Sequence, residues 1–323
     1  MSKKLIKERL NRFGFEKEPF LFVISYDLSE FYIEKLSNLP KNIKFELNSK
    51  EHSKNKKIKK TKLEKFPISF SEYKKSFDYI QEQIKNGNSY LLNLTAKTKI
   101  ETNLSLDEIY ENVDAKFKLR FQNNKDDFVC FSPERFVEIK KNKISTYPMK
   151  GTIDATITNA QDRILGDIKE MAEHTMVVDL LRNDLGIVGE KVRVNKFRYC
   201  EKINAGDKKL LQISSKISAN LQNNWNEKIG DILTSILPAG SITGTPKKKT
   251  VEILQNVENY NREFYTGVFG VFDGVNLDSS VMIRFIQKEQ NGELFYKSGG
   301  GITCDSNVNL EYQELLDKIY LPF

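Results

Sequence analysis

Residues 128–152 read FVCFSPERFVEIKKNKISTYPMKGT, and this stretch decides what kind of sheet the chain builds. Two apolar-rich runs, Phe128–Ile139 and Lys143–Tyr147, flank Lys141 and Asn142, which suit a tight turn. The pattern predicts two strands joined as an antiparallel hairpin. Pro148 cannot donate to a sheet ladder, and Gly151 permits positive φ or close backbone approach. Lys150, between them, gains nothing by packing. It is either a solvated turn residue or an ammonium aimed into a cleft. Glu134 and Lys150 fall on neighbouring strands, so the hairpin can bring an acid and an amine together.

Working outward, Phe20–Tyr26 (FLFVISY) reads as a buried strand, Ser71–Lys85 as a helix ending near Gly87, and Tyr90–Ile100 as a strand. Asp167–Leu185 has helical spacing, with Ile168, Met171, Thr175, Val178, Leu181 and Leu185 on one side and Gly186 as its stop. Thr245 is placed to cap a helix that starts at Pro246 and runs to about Val257. Phe264–Phe272, Ser280–Ile286 and Leu294–Lys297 read as strands, with Asp273-Gly274 as a hairpin turn. Asp305 or Ser306 caps a last helix. Strand-rich runs broken by a few long helices, without regular βαβ alternation, predict an α+β fold of mainly antiparallel sheets.

Composition narrows the function classes. In 323 residues there are two histidines, His52 and His174. A His-rich zinc site and a His-relayed serine nucleophile are thereby disfavoured. Acid–base work falls to Glu, Asp, Lys or Tyr. Cys130, Cys200 and Cys304 are widely spaced and read as reduced thiols of a cytoplasmic protein. No apolar run suits a membrane span, and MSKKLIKERLNRFG lacks the apolar core of a signal peptide. The net charge of +7 owes much to Lys50–Lys65, KEHSKNKKIKKTKLEK. Without aromatic interleaving it reads as a solvated loop or hairpin, not a nucleic-acid contact. Attraction of a small anionic substrate is a further use for such charge.

Four stretches combine glycine with isolated charge. SPERF and YPMKGT carry Glu134 and Lys150. AEHTMVVDLLRNDLG (Ala172–Gly186) places Glu173 among apolar positions, with Asp179, Arg182 and Asp184 suited to local ion pairs. PAGSITGTPKKK (Pro238–Lys249) is a glycine turn running into a helix start, and Pro246 rules out a Walker A reading. SGGGITCDSNVNLEYQELLDK (Ser298–Lys318) ends with Glu314 and Lys318 one helical turn apart. Bland readings exist: a neighbouring Lys or Arg could satisfy Glu173, and Glu314 with Lys318 could be a surface pair. Together the parts suit a small dicarboxylate with a divalent cation. Glu173 and Glu314 can hold Mg²⁺, which takes one or two protein carboxylates plus substrate oxygens. Arg284, among apolar neighbours in SSVMIRF, calls for an anion. Glu134 and Lys150 remain for chemistry.

These motifs, with YTGVFG and IRF, occur in the order found in the chorismate-utilising enzymes, which this chain resembles over roughly residues 70–323. That family includes anthranilate, aminodeoxychorismate, isochorismate and salicylate synthases. The resemblance implies a sandwich of two large antiparallel sheets with helices outside. It implies Mg²⁺ on Glu173 and Glu314, gripping the ring carboxylate of chorismate, and Glu134 as the acid that protonates the departing C4 hydroxyl. Gly151, Thr152, Ser241, Tyr265, Arg284, Gly299, Gly301 and Lys318 match the substrate-holding set. Residues 1–70 are then a short N-terminal segment completing the sheets, shorter than in longer relatives, and residues 71–323 are the chorismate-binding catalytic domain. The segment that helps build a tryptophan pocket in longer relatives is missing, so tryptophan binding is not expected.

Two positions separate the branches. Isochorismate and salicylate enzymes carry a lysine base where this chain has Leu91, so water attack at C2 lacks its base. Anthranilate synthases typically have a small residue where this chain has Lys150, as in PIAGT; aminodeoxychorismate synthases have PIKGT, and PMKGT resembles the latter. The implied reaction uses Lys150 as nucleophile at C2 and gives 4-amino-4-deoxychorismate, a precursor of para-aminobenzoate and folate. Anthranilate synthase component I is the alternative. Ammonia would come from a partner glutamine amidotransferase, because no cysteine here has a nucleophile-elbow context. Gln212 stands in a segment where many members have histidine.

Overall fold

A computed structural model describes residues 1–48, 61–205 and 208–322. Most of the lysine-rich Lys50–Lys65 stretch lies outside these residues. In chain order the elements are α1 (Ser2–Phe15), β1 (Phe20–Ile24), β2 (Phe31–Lys35), β3 (Lys44–Leu47), β4 (Leu63–Phe66), α2 (Phe70–Lys85) and β5 (Leu91–Thr102). There follow α3 (Leu106–Asn112), β6 (Phe117–Gln122), β7 (Asp127–Ser132), β8 (Arg135–Lys140), β9 (Lys143–Thr146) and β10 (Met149–Asp154). Next come α4 (Ala160–Gly166), α5 (Ile168–Val188), β11 (Glu190–Ala205), β12 (Lys208–Asn220), α6 (Ile229–Ile236) and β13 (Gly244–Thr245). The chain closes with α7 (Lys247–Val257), β14 (Val268–Phe272), β15 (Leu277–Val281), β16 (Phe285–Lys288), β17 (Leu294–Ile302) and α8 (Val308–Asp317).

The fold is α+β, built on two large antiparallel sheets with helices, and the chain forms two compact units that interleave in sequence. The first comprises Met1–Asn38, Glu134–Ser241 and Gly267–Val281; the second comprises Leu39–Pro133, Ile242–Thr266 and Met282–Phe323. Each unit holds one sheet. In the first, nine strands run β10-β12-β9-β8-β15-β14-β1-β2, with β11 on β12. In the second, eight strands run β13-β5-β17-β16-β7-β6-β3, with β4 on β5. Residues 1–70 therefore give β1 and β2 to one sheet and β3 and β4 to the other.

In the first unit β1 (FLFVI) is buried at every position, flanked by β2 and β14. A strand buried on both faces is continuously apolar, as here. The second unit has an aromatic core in which Phe128 lies 4.6 Å from Phe285 and 5.0 Å from Phe121, ring centre to ring centre. Offset ring packing of this kind adds to the burial of large apolar area.

The opening stretch folds otherwise than its pattern suggests. Phe128–Ile139 is two strands: β7 belongs to the second unit's sheet and β8 to the first, and the chain passes between them at Pro133. Proline fits there because it has no N–H to give a ladder. Ser280–Ile286 divides the same way into β15 and β16. Arg284 is therefore not a strand residue but sits between them at φ +51°. The strand expected from Phe264 starts at Val268, leaving Tyr265 on the preceding turn. The triple glycine lies inside β17 rather than in a loop. Helix α5 runs past Gly186 and ends at Gly189, and Asn307 rather than Asp305 or Ser306 caps α8. Thr245 pairs in β13 instead of capping α7.

A buried ion pair braces the second unit. The Arg262 guanidinium meets both Glu258 oxygens at 2.6 and 2.7 Å, with the side chains only 3% and 5% exposed. Glu258 also accepts from Thr95 N and Oγ1. Removing one partner strands the other charge away from water. Glu258→Gln is expected to destabilise the protein by about 3–5 kcal/mol, read as a lower denaturation midpoint at unchanged denaturant slope.

Candidate active site

Lys150 lies on β10, at the bulge where the ladder to β12 shifts register between Met149 and Thr152. Gly151 makes the bulge with φ +81°. A bulge bends a strand and re-aims its side chains. The consequence here is that Lys150 Nζ reaches Glu173 Oε2 on α5 at 2.8 Å, with the side chains 26% and 10% exposed. Lys169 stands 3.9 Å from the other Glu173 oxygen. Glu173 is thus held by lysines in this structure, and Lys150 is no solvated turn residue.

Gly151 has little room for a side chain. A Cβ there would meet Glu170 Oε2 at 2.8 Å and Ile164 at 3.5 Å. Burial, with Glu173 next, raises the Glu170 carboxyl above its ordinary value. Gly151→Ala combines this clash with a left-handed backbone and should cost about 1–2 kcal/mol, measurable by equilibrium unfolding. Thr152, next along, pairs with Gln212 of β12.

The apolar spacing of α5 marks its buried face only in the second half. Val178, Leu181 and Leu185 are buried, whereas Ile168, Met171 and Thr175 are exposed, and Glu173, His174, Val177, Leu180 and Asp184 are buried outside the expected set. Farther along the helix, Leu180 and Asp184 abut Gly240, whose Cβ position lies 2.9 Å from Asp184 Oδ2. The turn over Gly240–Ile242 carries Ser241, and Ser241 Oγ donates a short hydrogen bond to Glu134 Oε1. The Glu134 carbonyl accepts from Ser280 Oγ at 2.8 Å and from Val281 N at 3.2 Å. Its backbone is therefore fixed by β15. Glu134 is met by Ser241 and Lys150 by Glu173.

In the second unit, Lys318 Nζ meets Glu314 Oε1 at 2.6 Å and donates to the Gly299 carbonyl at 2.7 Å. Gly299 and Gly301 lie opposite Thr95 and Asn93 on β5. A Cβ on Gly299 would press on Leu94 O at 2.6 Å, so close strand approach alone requires glycine there. Tyr265 is buried and packs on Phe285, and Arg284 stacks over Tyr320 at 4.9 Å.

Several polar residues escaped the sequence pattern. Glu311 is buried and shares Gly300 with Glu314 and Lys318. His174, wholly buried, bonds Ser215 Oγ through Nε2 at 2.7 Å. Its pKa falls to about 4, first through burial, then through the Arg198 and Lys150 charges. The signal available was a histidine beside a glutamate on an otherwise apolar helix face.

Among the described residues no group of three or more His, Cys, Asp and Glu side chains gathers into a metal cage. Single carboxylates that a lysine now occupies fit Mg²⁺, a hard cation that keeps waters and takes few protein oxygens. Among the same residues no helix is long and apolar enough to cross a membrane.

A family model described as chorismate binding enzyme matches residues 10–322. An uncharacterised PabA-like protein of Haemophilus influenzae is 46% identical over 317 residues, or 98% of this chain and 95% of that protein. Aminodeoxychorismate synthase component 1 of Klebsiella aerogenes is 32% identical over 265 residues, covering 78% of this chain and 57% of its own. Among solved structures, anthranilate synthase component I from Streptococcus pneumoniae matches with a TM-score of 0.70 and 25% identity, over 80% of this chain and 58% of that one.

Proposed function

The chain belongs to the chorismate binding enzyme family, and we propose that within it the protein aminates chorismate at C4, as an aminodeoxychorismate synthase component 1. The observation that carries this reading is Lys150, re-aimed by the Gly151 bulge onto the glutamate-bearing face of α5. A primary amine so placed is the extra nucleophile that C4 amination uses. The similarity to aminodeoxychorismate synthase component 1 from four bacteria, at 31–32% identity, supports the same branch.

In this reading Lys150 Nζ bonds to C2 of chorismate while the ring double bonds shift and the C4–oxygen bond breaks. Glu134 gives its proton to the leaving oxygen, which departs as water. Ammonia then bonds to C4, the double bonds shift back, and the C2–nitrogen bond breaks to release lysine. The enolpyruvyl group stays on the ring. Ser241 orients the Glu134 carboxyl, and Thr152, Tyr265, Arg284, Gly299, Gly301 and Lys318 hold the substrate. Glu173 and Glu314 would hold Mg²⁺, which when bound neutralises the ring carboxylate. Lys150 must first part from Glu173 and lose its ammonium proton to solvent, so that the neutral amine can bond to C2. Ammonia would be supplied by a glutamine amidotransferase partner, in keeping with relatives designated component 1.

The reading is tested by incubating the protein with chorismate, Mg²⁺ and ammonium and weighing the product. An amino compound that keeps its pyruvyl group is expected; anthranilate with free pyruvate would assign the alternative reaction. Chelating the divalent cation should abolish turnover, and added Mg²⁺ should restore it.

A further inference from the structure

We propose that His174 and Ser215 are positioning residues that fix the main chain at Lys150 against the helix bearing Glu173. The bulge creates the need for them. Regular pairing between β10 and β12 is interrupted between Met149 and Thr152, where Lys150 sits. The register shift there means that the regular ladder alone does not set where the lysine side chain begins.

Ser215 supplies the missing constraint from three directions. Its N–H donates to the Pro148 carbonyl at 3.0 Å, two residues before Lys150. Its hydroxyl accepts from the Arg198 N–H of β11 at 2.9 Å. The same oxygen shares the 2.7 Å bond with His174 Nε2, and His174 directly follows Glu173 on α5. With one lone pair given to Arg198, the hydroxyl keeps its proton and a second lone pair, so either neutral tautomer of His174 holds this bond. The imidazole is held through this one bond, since His174 Nδ1 has no hydrogen-bond partner among the described residues. His174 and Ser215 are both fully buried, where a hydrogen bond is costly to break and geometry is held tightly.

Arg198 extends the bracket. Its guanidinium donates to the Leu165 and Ile164 carbonyls at the end of α4, at 2.8 and 2.9 Å. The Ile164 side chain in turn lies against Gly151. The strand carrying Lys150 is thus clasped by β12, α5 and α4 around its irregular point. Neither His174 nor Ser215 needs to touch substrate to do this.

That Lys150 is a nucleophile rests on the proposed function; that the pair positions it does not. The test therefore has two readouts. Lysines of the metal-free protein are labelled with an amine-reactive reagent and quantified peptide by peptide, in wild type, Ser215→Ala, Ser215→Thr and His174→Gln. In Ser215→Ala and His174→Gln, Lys150 should label several-fold faster while the buried Lys297 of the other unit is unchanged. Ser215→Thr, which keeps the hydroxyl, should stay near wild type. An unchanged Lys150 rate would overturn the proposal, and so would a parallel rise at Lys297, which would signify general loosening. In turnover, Ser215→Ala should lower kcat by about 10²-fold with little change in KM for chorismate, the effect of a small misplacement of a reacting group. If the wild-type protein does not aminate chorismate, the functional reading falls and the labelling still decides the positioning.

Discussion

Lys150→Ala is expected to lower formation of the 4-amino product by about 10⁴-fold or more, the scale seen when a covalent nucleophile is removed. The reason lies in what else the site can offer. Leu91, which the family resemblance sets at the place of a water-activating lysine, is apolar and buried in β5 against β13. Among the described residues Lys169 also faces Glu173, but it is farther away and more exposed than Lys150. Without the C2 adduct, ammonia must displace the C4 hydroxyl directly or attack C2 itself, so residual turnover should shift toward C2 amination. The fold should survive, because the Lys150 side chain is partly exposed and Lys169 still faces the Glu173 carboxylate. Wild-type protein quenched during turnover should carry a substrate-sized mass addition on the peptide containing Lys150. An unchanged product yield from Lys150→Ala, with no such adduct in wild type, would remove Lys150 from the mechanism.

Glu134→Gln is the second large effect. The amide keeps the size of the side chain but has no proton to give a leaving hydroxyl. A positioned general acid contributes about 10²–10⁴-fold, and a loss of that order is expected in kcat, with KM for chorismate little altered. Ser241→Ala should cost less, since Ser241 donates to Glu134 without supplying the transferred proton. The comparison separates proton transfer from orientation. Equal losses in the two variants would mean that the contact, not the acid, matters.

Much of this was legible in the sequence, and the exceptions have physical causes. The strands β1 and β5 and the helix α2 follow from apolar spacing that burial then realises. The spacing failed where the chain changes sheets. FVCFSPERFVEIK looks continuous because both halves are apolar, yet Pro133 marks a passage between two units that no periodicity records. On α5 the spacing holds for Val178, Leu181 and Leu185 but not for Ile168, Met171 and Thr175, whereas polar Glu173 and His174 are buried where strand partners satisfy them. Lys150 and Gly151 could be singled out from Pro-Met-Lys-Gly, but the bulge that turns the lysine onto α5 could not. It depends on the register of β12, sixty residues away. His174 and Ser215 are similarly distant in sequence and meet only when the sheet is closed.

The most direct test of the account is where nitrogen ends up. With isotopically labelled ammonium, chorismate and Mg²⁺, the expected product carries its labelled nitrogen on C4 and keeps its enolpyruvyl group. Labelled nitrogen on C2 of an aromatic ring, with one equivalent of free pyruvate, would contradict it.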